Sequence, residues 1–150
     1  MKIVWRVLAG IILALGGFGS YSITSMIIDR TPPIQYEQAR ALAASVPQGG
    51  TLGVEFKVFR TRICPVVAKR WLIDSAGTRH SIPSYTVGLE MLAGRETYRR
   101  SIEVPDAAAI GPAAYEVDLE FFCNSLQRLG FPITVISPPI TFGITPSVGG

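Results

Sequence analysis

The segment from Gly111 to Asn124, Gly-Pro-Ala-Ala-Tyr-Glu-Val-Asp-Leu-Glu-Phe-Phe-Cys-Asn, restricts the fold more than any other stretch of the chain. From Tyr115 to Cys123 it alternates strictly. Tyr115, Val117, Leu119, Phe121 and Cys123 fall on one face, and Glu116, Asp118 and Glu120 on the other. Successive side chains of a strand point to opposite sides, so the pattern predicts a strand with one buried and one wetted face. Gly111-Pro112 is expected to supply the turn that feeds it.

A second constraint lies at the N-terminus. Lys2 and Arg6 precede 22 residues, Val7 to Ile28, without a charge. As a helix these would span roughly 33 Å, about the hydrocarbon thickness of a bilayer. The early cations place the N-terminus in the cytoplasm, and Asp29 and Arg30 on the far side nearly cancel. The expected layout is a cytoplasmic tip and transmembrane anchor over 1–30, with the rest in a periplasm or outside the cell. A cleaved signal peptide ending at Gly17-Phe-Gly19 is the alternative, although a signal core runs only about 7–15 residues and this one continues through Ile28. Gly10, Ala14, Gly16 and Ser20 have helix-pairing spacing, which allows self-association through that face or is simply the Gly and Ala content common to apolar spans.

Of the fourteen Lys and Arg, Lys2, Arg6 and Arg30 flank this run, which leaves eleven against ten Asp and Glu over 31–150. A nucleic-acid binder would show a basic stripe on its folded domain, and so small a surplus argues against that partner.

Beyond the run, Thr31-Pro32-Pro33 is a stiff exit, and 31–46 is expected to be a proline-led linker with a first strand. Gln35 to Ser45 has helical propensity, but Pro47-Gln-Gly-Gly after it favours an extended strand handing over to the next. Leu52, Val54, Phe56 and Val58 mark a strand that runs on towards Cys64. Val66 to Asp74 is another, with Val67, Trp71 and Ile73 on one face. Asp74-Ser-Ala-Gly77 predicts a hairpin turn into Thr78–Ile82. Val87, Leu89 and Met91 suggest a short edge strand, and Tyr98, Ile102 and Val104 another strand ended by Pro105. Pro132 to Ile144 would hold the last, broken by Ser137-Pro138-Pro139, with 145–150 a loose tail. The predicted fold class is all-β, an antiparallel sandwich over 47–144 behind one N-terminal transmembrane helix.

The two cysteines, Cys64 and Cys123, each follow a strongly alternating strand. In an oxidising compartment such a pair is expected to bond. Two thiols and one histidine do not make four zinc ligands, and no C-x-x-C occurs, so neither a metal nor a redox cofactor is expected. With Trp71 after the first cysteine and Gly-Pro-Ala-Ala-Tyr115 before the second, Pro47 to Ile144 resembles the immunoglobulin-like β-sandwich superfamily. That resemblance implies a tyrosine corner at Tyr115 and Trp71 as core aromatic beside an inter-sheet disulfide. Trp71 lies only seven residues past Cys64, and Tyr115 eight before Cys123, so the bridge is expected near one end of the sandwich. The layout also looks like that of small membrane-anchored proteins of bacteria and their phages.

His80 could join Asp74 and Ser81 as a hydrolytic set, but no nucleophile elbow is present, and a solvated histidine beside a turn is the expectation. Arg60, Arg62, Arg95, Arg99 and Arg100 form a candidate binding patch for an acidic partner, lipid headgroup or glycan. Cross-strand charge pairing is the competing and favoured explanation. By the same reasoning Glu116, Asp118 and Glu120 would face Lys69 or Arg70. No catalytic constellation is expected. The leading function is a single-pass inner-membrane protein that displays a disulfide-stapled β-sandwich for protein binding or assembly. A secreted or virion-associated adhesion module, or a phage-encoded exclusion or lysis accessory, is the alternative.

Overall fold

The computed structural model describes residues 2–89 and 92–147. One long helix, α1 (Lys2–Ile28), leads into nine strands: β1 (Ile34–Ala41), β2 (Ser45–Pro47), β3 (Thr51–Arg60), β4 (Val66–Ile73), β5 (Arg79–Val87), β6 (Gly94–Glu103), β7 (Gly111–Phe121), β8 (Ile133–Ile136) and β9 (Ile140–Thr145). A four-residue helix, α2 (Ser125–Arg128), follows β7. The fold is all-β behind an N-terminal apolar helix. One sheet has the order β1-β3-β6, the other β2-β9-β7-β4-β5, with β8 also on β7. Buried side chains from both sheets form one core.

β7 sits in the middle of the larger sheet. Tyr115, Val117, Leu119 and Phe121 are buried and the residues between them are not, as the alternation requires. Gly111 belongs to the strand rather than to a preceding turn. Its φ is +129°, and a Cβ there would lie 3.0 Å from that of Ser75, so glycine is needed on both counts. Cys123 lies just past the strand and is partly buried against the core.

The register of β4 against β7 sets the face that β4 buries. Leu72 lies opposite Tyr115, Ala68 opposite Leu119 and Val66 opposite Phe121. Directly opposed residues share a face, so Val66, Ala68 and Leu72 go inward. Val67, Trp71 and Ile73 form the outer row, which does not give Trp71 the core position that the resemblance implies. Trp71 is therefore not a core aromatic. It is half-buried on the outside, with the Arg79 guanidinium 4.1 Å above its ring and its Nε1–H donated to Asp118 Oδ2 at 3.0 Å.

The prolines act where they should. β5 continues through Pro83 as a sheet edge, where a missing N–H is tolerated. It ends at Val87; Leu89 follows it outside any strand, and Met91 lies outside the described residues. Ser137-Pro138-Pro139 splits the last segment so that β8 and β9 pair with opposite ends of β7. Ser137 bridges the break by donating its N–H to the Val117 carbonyl while its Oγ accepts the Val117 N–H. Gln35 to Ser45 is extended, but it switches sheets: β1 joins β3, and β2 runs parallel to β9. Asp74–Gly77 forms the expected turn, with Gly77 at φ +78°. Of the expected tail, Val148 to Gly150 lie outside the described residues.

Cys64, two residues before β4, is bonded to Cys123, two residues after β7, with Cα atoms 4.8 Å apart. The Phe122 N–H donates to the Pro65 carbonyl between them, so the bridge continues the β4–β7 pairing and is not the inter-sheet disulfide that the resemblance implies. The bridge lies at the end of the domain where α1 arrives, since Asn124 beside it donates to the Met26 carbonyl. Closing a 59-residue separation stabilises by about 4 kcal/mol in the chain-entropy description. Tyr115 is buried beneath the smaller sheet, but its hydroxyl makes no bond to backbone upstream among the described residues. The Arg70 guanidinium lies beside it, and no tyrosine corner forms.

The β4 register is tested by truncation. Leu72→Ala should cost about 2–5 kcal/mol in urea unfolding of the full chain in detergent. Val67→Ala on the outer row should cost under about 1 kcal/mol. The opposite ranking would put the outer row in the core.

Candidate functional site

β5 and β6 are the edges of their respective sheets, and the gap between them mixes Tyr85, Tyr98, Arg100 and the Arg60–Glu96 pair with the aliphatic Val66, Val87 and Leu119. On β6, the alternation that buries Ile102 also turns Tyr98 and Arg100 toward the larger sheet. Across the gap stand Tyr85 from β5 and Arg70 from β4. Tyr85 receives the Arg70 guanidinium at 5.3 Å and that of Arg100 at 5.4 Å from its ring centroid. Arg100 also lies 5.3 Å from the Tyr98 ring. Behind these, Tyr36, Phe56 and Tyr98 form an aromatic ladder with centroid spacings of 5.8 and 5.2 Å. Burial pushes the Tyr36 and Tyr98 hydroxyls far above the ordinary phenol range, and that of Tyr115 up to about 12. The Tyr36 hydroxyl is buried without a hydrogen-bond partner.

The five arginines of the expected patch do not form one surface. Arg60 is buried on the inner face and donates through Nε to Glu96 at 2.9 Å. Arg95 pairs with Glu37 at 2.8 Å, and Arg99 with Glu55 at 2.9 Å. Arg40 reaches the other oxygen of Glu55, so two guanidiniums cover one shielded carboxylate and hold it below the usual range, Arg99 first. Arg62 turns to the root of α1, 2.8 Å from Asp29 and 2.6 Å from the Thr31 carbonyl. Charge pairing thus accounts for four of the five. Arg100 is the fifth, with no carboxylate partner among the described residues; its Nη1 donates to the Arg99 carbonyl. The acidic row behaves similarly: Lys69 meets Glu120, Arg79 meets Asp118, and Arg70 faces inward, where it donates to the Pro83 carbonyl.

Arg70, Tyr85 and Tyr98 were not picked out by sequence reasoning. The available signal was the shared period-two face of Tyr98 and Arg100, which places a guanidinium next to a ring on an inner row. Chemically, a guanidinium backed by aromatic rings and lacking a carboxylate is suited to an anionic group. The carboxylate that lines the gap, Glu96, is engaged by Arg60.

His80 is not solvated. Its Nε2 lies 2.8 Å from Oδ2 of the buried Asp74, which also accepts the N–H of Ala109, while Oδ1 accepts those of Ala76 and Thr78. Those bonds, Ala109 first and His80 next, hold the Asp74 carboxyl well below its ordinary range. Ser81 lies on the exposed face and joins no relay. The pair fastens the β4–β5 turn to the segment before β7. No group of three or more His, Cys, Asp or Glu suited to a metal occurs among the described residues.

No protein-family model matches the sequence, and no curated protein matches it. Among solved structures, the Pseudomonas fluorescens alkylpurine DNA glycosylase AlkC, bound to DNA containing an abasic site analogue, aligns over 82% of this chain. The identity is 13% and the TM-score 0.47, and the aligned part is 33% of the glycosylase, so this chain spans about a third of that protein. A Niemann-Pick type C2 protein from the Japanese carpenter ant aligns over 77% of this chain and 95% of its own, at 13% identity and TM-score 0.43.

The low Asp74 pKa makes a prediction about acid stability. A carboxyl whose folded pKa is depressed contributes stability that is complete above its unfolded value, about 3.9. That contribution is lost as pH falls through the lower folded value. Unfolding free energy of the wild type should therefore fall with acidification below about pH 4 more steeply than that of Asp74→Asn. Parallel acid limbs in denaturant titrations would show that Asp74 does not carry this linkage.

Proposed function

We propose that the chain is a non-enzymatic, single-pass membrane protein that displays an immunoglobulin-like, disulfide-stapled domain outside the cytoplasmic membrane to bind a protein partner. The observation that carries this proposal is α1. Val4–Ile28 is long and apolar enough to cross a bilayer, and its most apolar stretch is not buried against the β-domain. Lys2 and Arg6 favour a cytoplasmic N-terminus, which puts the domain in a compartment where the Cys64–Cys123 bond persists.

The immunoglobulin-like description is supported by two antiparallel-rich sheets around one core, but the disulfide joins the ends of β4 and β7 within one sheet rather than bridging the two. It departs from that pattern at Trp71 and Tyr115. The gap between β5 and β6 is the natural recognition point, because Arg100 there is available to an acidic group of the partner.

Cleavage after Gly19 fits the contacts poorly. Asn124 and Gln127 bond the carbonyls of Met26 and Asp29, so a cut there would leave the apolar turns from Ser20 to Ile28 attached to a soluble domain.

Protease added to spheroplasts should remove the domain and leave a membrane-bound fragment containing Val7 to Ile28. Full protection would reverse the orientation, and soluble protein beginning near Ser20 would replace the anchor by a signal peptide.

A further inference from the structure

The root of α1 is fixed to the domain by side chains distant in sequence. Asn124 Nδ2 donates to the Met26 carbonyl at 3.3 Å, and Gln127 Nε2 to the Asp29 carbonyl at 3.0 Å. Arg30 Nη1 donates in return to the carbonyls of Phe131 and Pro132, at 3.2 and 3.1 Å. Gln127 is only 1% exposed, and its Oε1 accepts the Cys123 N–H at 2.7 Å, so the attachment leads directly to the disulfide. With both ends of the contact held, α2 and the loop after it lie level with the last turn of the helix.

That level is set by the bilayer. Val4–Ile28 has 25 residues, or roughly 37 Å at the rise of an α-helix, against a hydrocarbon core of about 30 Å. Its last turn therefore lies at the boundary between hydrocarbon and headgroups. At this height the domain exposes large apolar side chains. Leu129 is 77% and Phe131 55% exposed, beside Ile27 at 53% and Ile28 at 72%. Ile27, Arg30, Leu126 and Phe131 line one shallow hollow of about 310 Å³ between helix and loop. Arg30, Arg62 and Arg128 stand in the same region against Asp29 alone, which Arg62 engages. Apolar side chains flanked by arginines at the end of a span are suited to acyl chains below and phosphates above.

We infer that the Leu129-Gly130-Phe131 loop seats in the interface of the leaflet at which α1 ends, so that the domain rests on its own membrane by that end. The inference rests on the anchor proposed above. Seating covers the exposed apolar side chains, which the domain itself leaves in water, and it fixes the orientation of the domain. The β5–β6 gap is then presented at a defined angle to the bilayer.

The test uses the full chain, one copy per nanodisc made with a phosphatidylglycerol-containing bilayer. Single nitroxide labels are placed at Leu129→Cys, at Phe18→Cys within the span and at Ala76→Cys on the distal hairpin. Accessibility to oxygen is compared with accessibility to a water-soluble nickel chelate. The label at 129 should give an oxygen-to-nickel ratio several-fold above that at 76 and approaching that at 18. A ratio at 129 equal to that at 76, with the label at 18 still lipid-exposed, would overturn the seating alone. Low accessibility at 129 to both reagents would mean that protein covers the loop, which also overturns it. A water-exposed label at 18 would instead remove the anchor on which the inference stands. Adding Phe131→Asp to the labelled Leu129→Cys chain should lower the ratio at 129 toward that at 76 and leave the ratio at 18 unchanged.

Discussion

The pairing of β7 with its neighbours is the constraint on which the rest of this structure depends. It places Tyr115, Val117, Leu119 and Phe121 on one buried row and sets β4 against it residue by residue. It also receives β8 and β9 at its two ends. Because a strand has a period of two, a one-residue slip would turn the whole row outward. The Ser137–Val117 exchange across the proline break and the Asp74 cluster before the strand both resist such a slip. The disulfide closes the same strand against the segment that leads into β4.

From Cys123 the order passes to the N-terminal apolar helix. Gln127 accepts the Cys123 N–H and donates to the Asp29 carbonyl, while Arg62 holds the Asp29 carboxylate below its usual range by a direct hydrogen bond. The Pro32-Pro33 exit is thus not a free spacer. Thr61 donates its N–H to the Pro33 carbonyl, and Ile34 begins β1 at once. A domain held in this way cannot swing about the N-terminal helix without breaking these partly buried hydrogen bonds. In the membrane display proposed above, the consequence is a fixed presentation of one edge.

That edge is where the core rules are relaxed. Arginine and tyrosine occupy inner positions of β4, β5 and β6 that aliphatic residues fill elsewhere. Buried polar groups without partners are costly, and the Tyr36 hydroxyl is one. Local departures of this kind concentrate where a protein binds something.

Much of this was legible in the chain itself. Period-two alternation marked the strands, Gly77 and the prolines marked the turn and breaks, and the 22-residue uncharged run marked the helix. With only two cysteines and one residue row ending at Cys123, the bridge had one partner to choose. The buried face of β4 was not legible, because both alternating rows carry large apolar residues, Val67, Trp71 and Ile73 on one and Val66 and Leu72 on the other. Only pairing with β7 decided it, since a period-two pattern divides residues into faces without saying which face meets a partner sheet. The partners of the arginines, the His80–Asp74 bond and the contact of Gln127 with Asp29, 98 residues away, were likewise beyond the sequence. Each depends on how the chain path returns through space, and local propensity carries no information about that path.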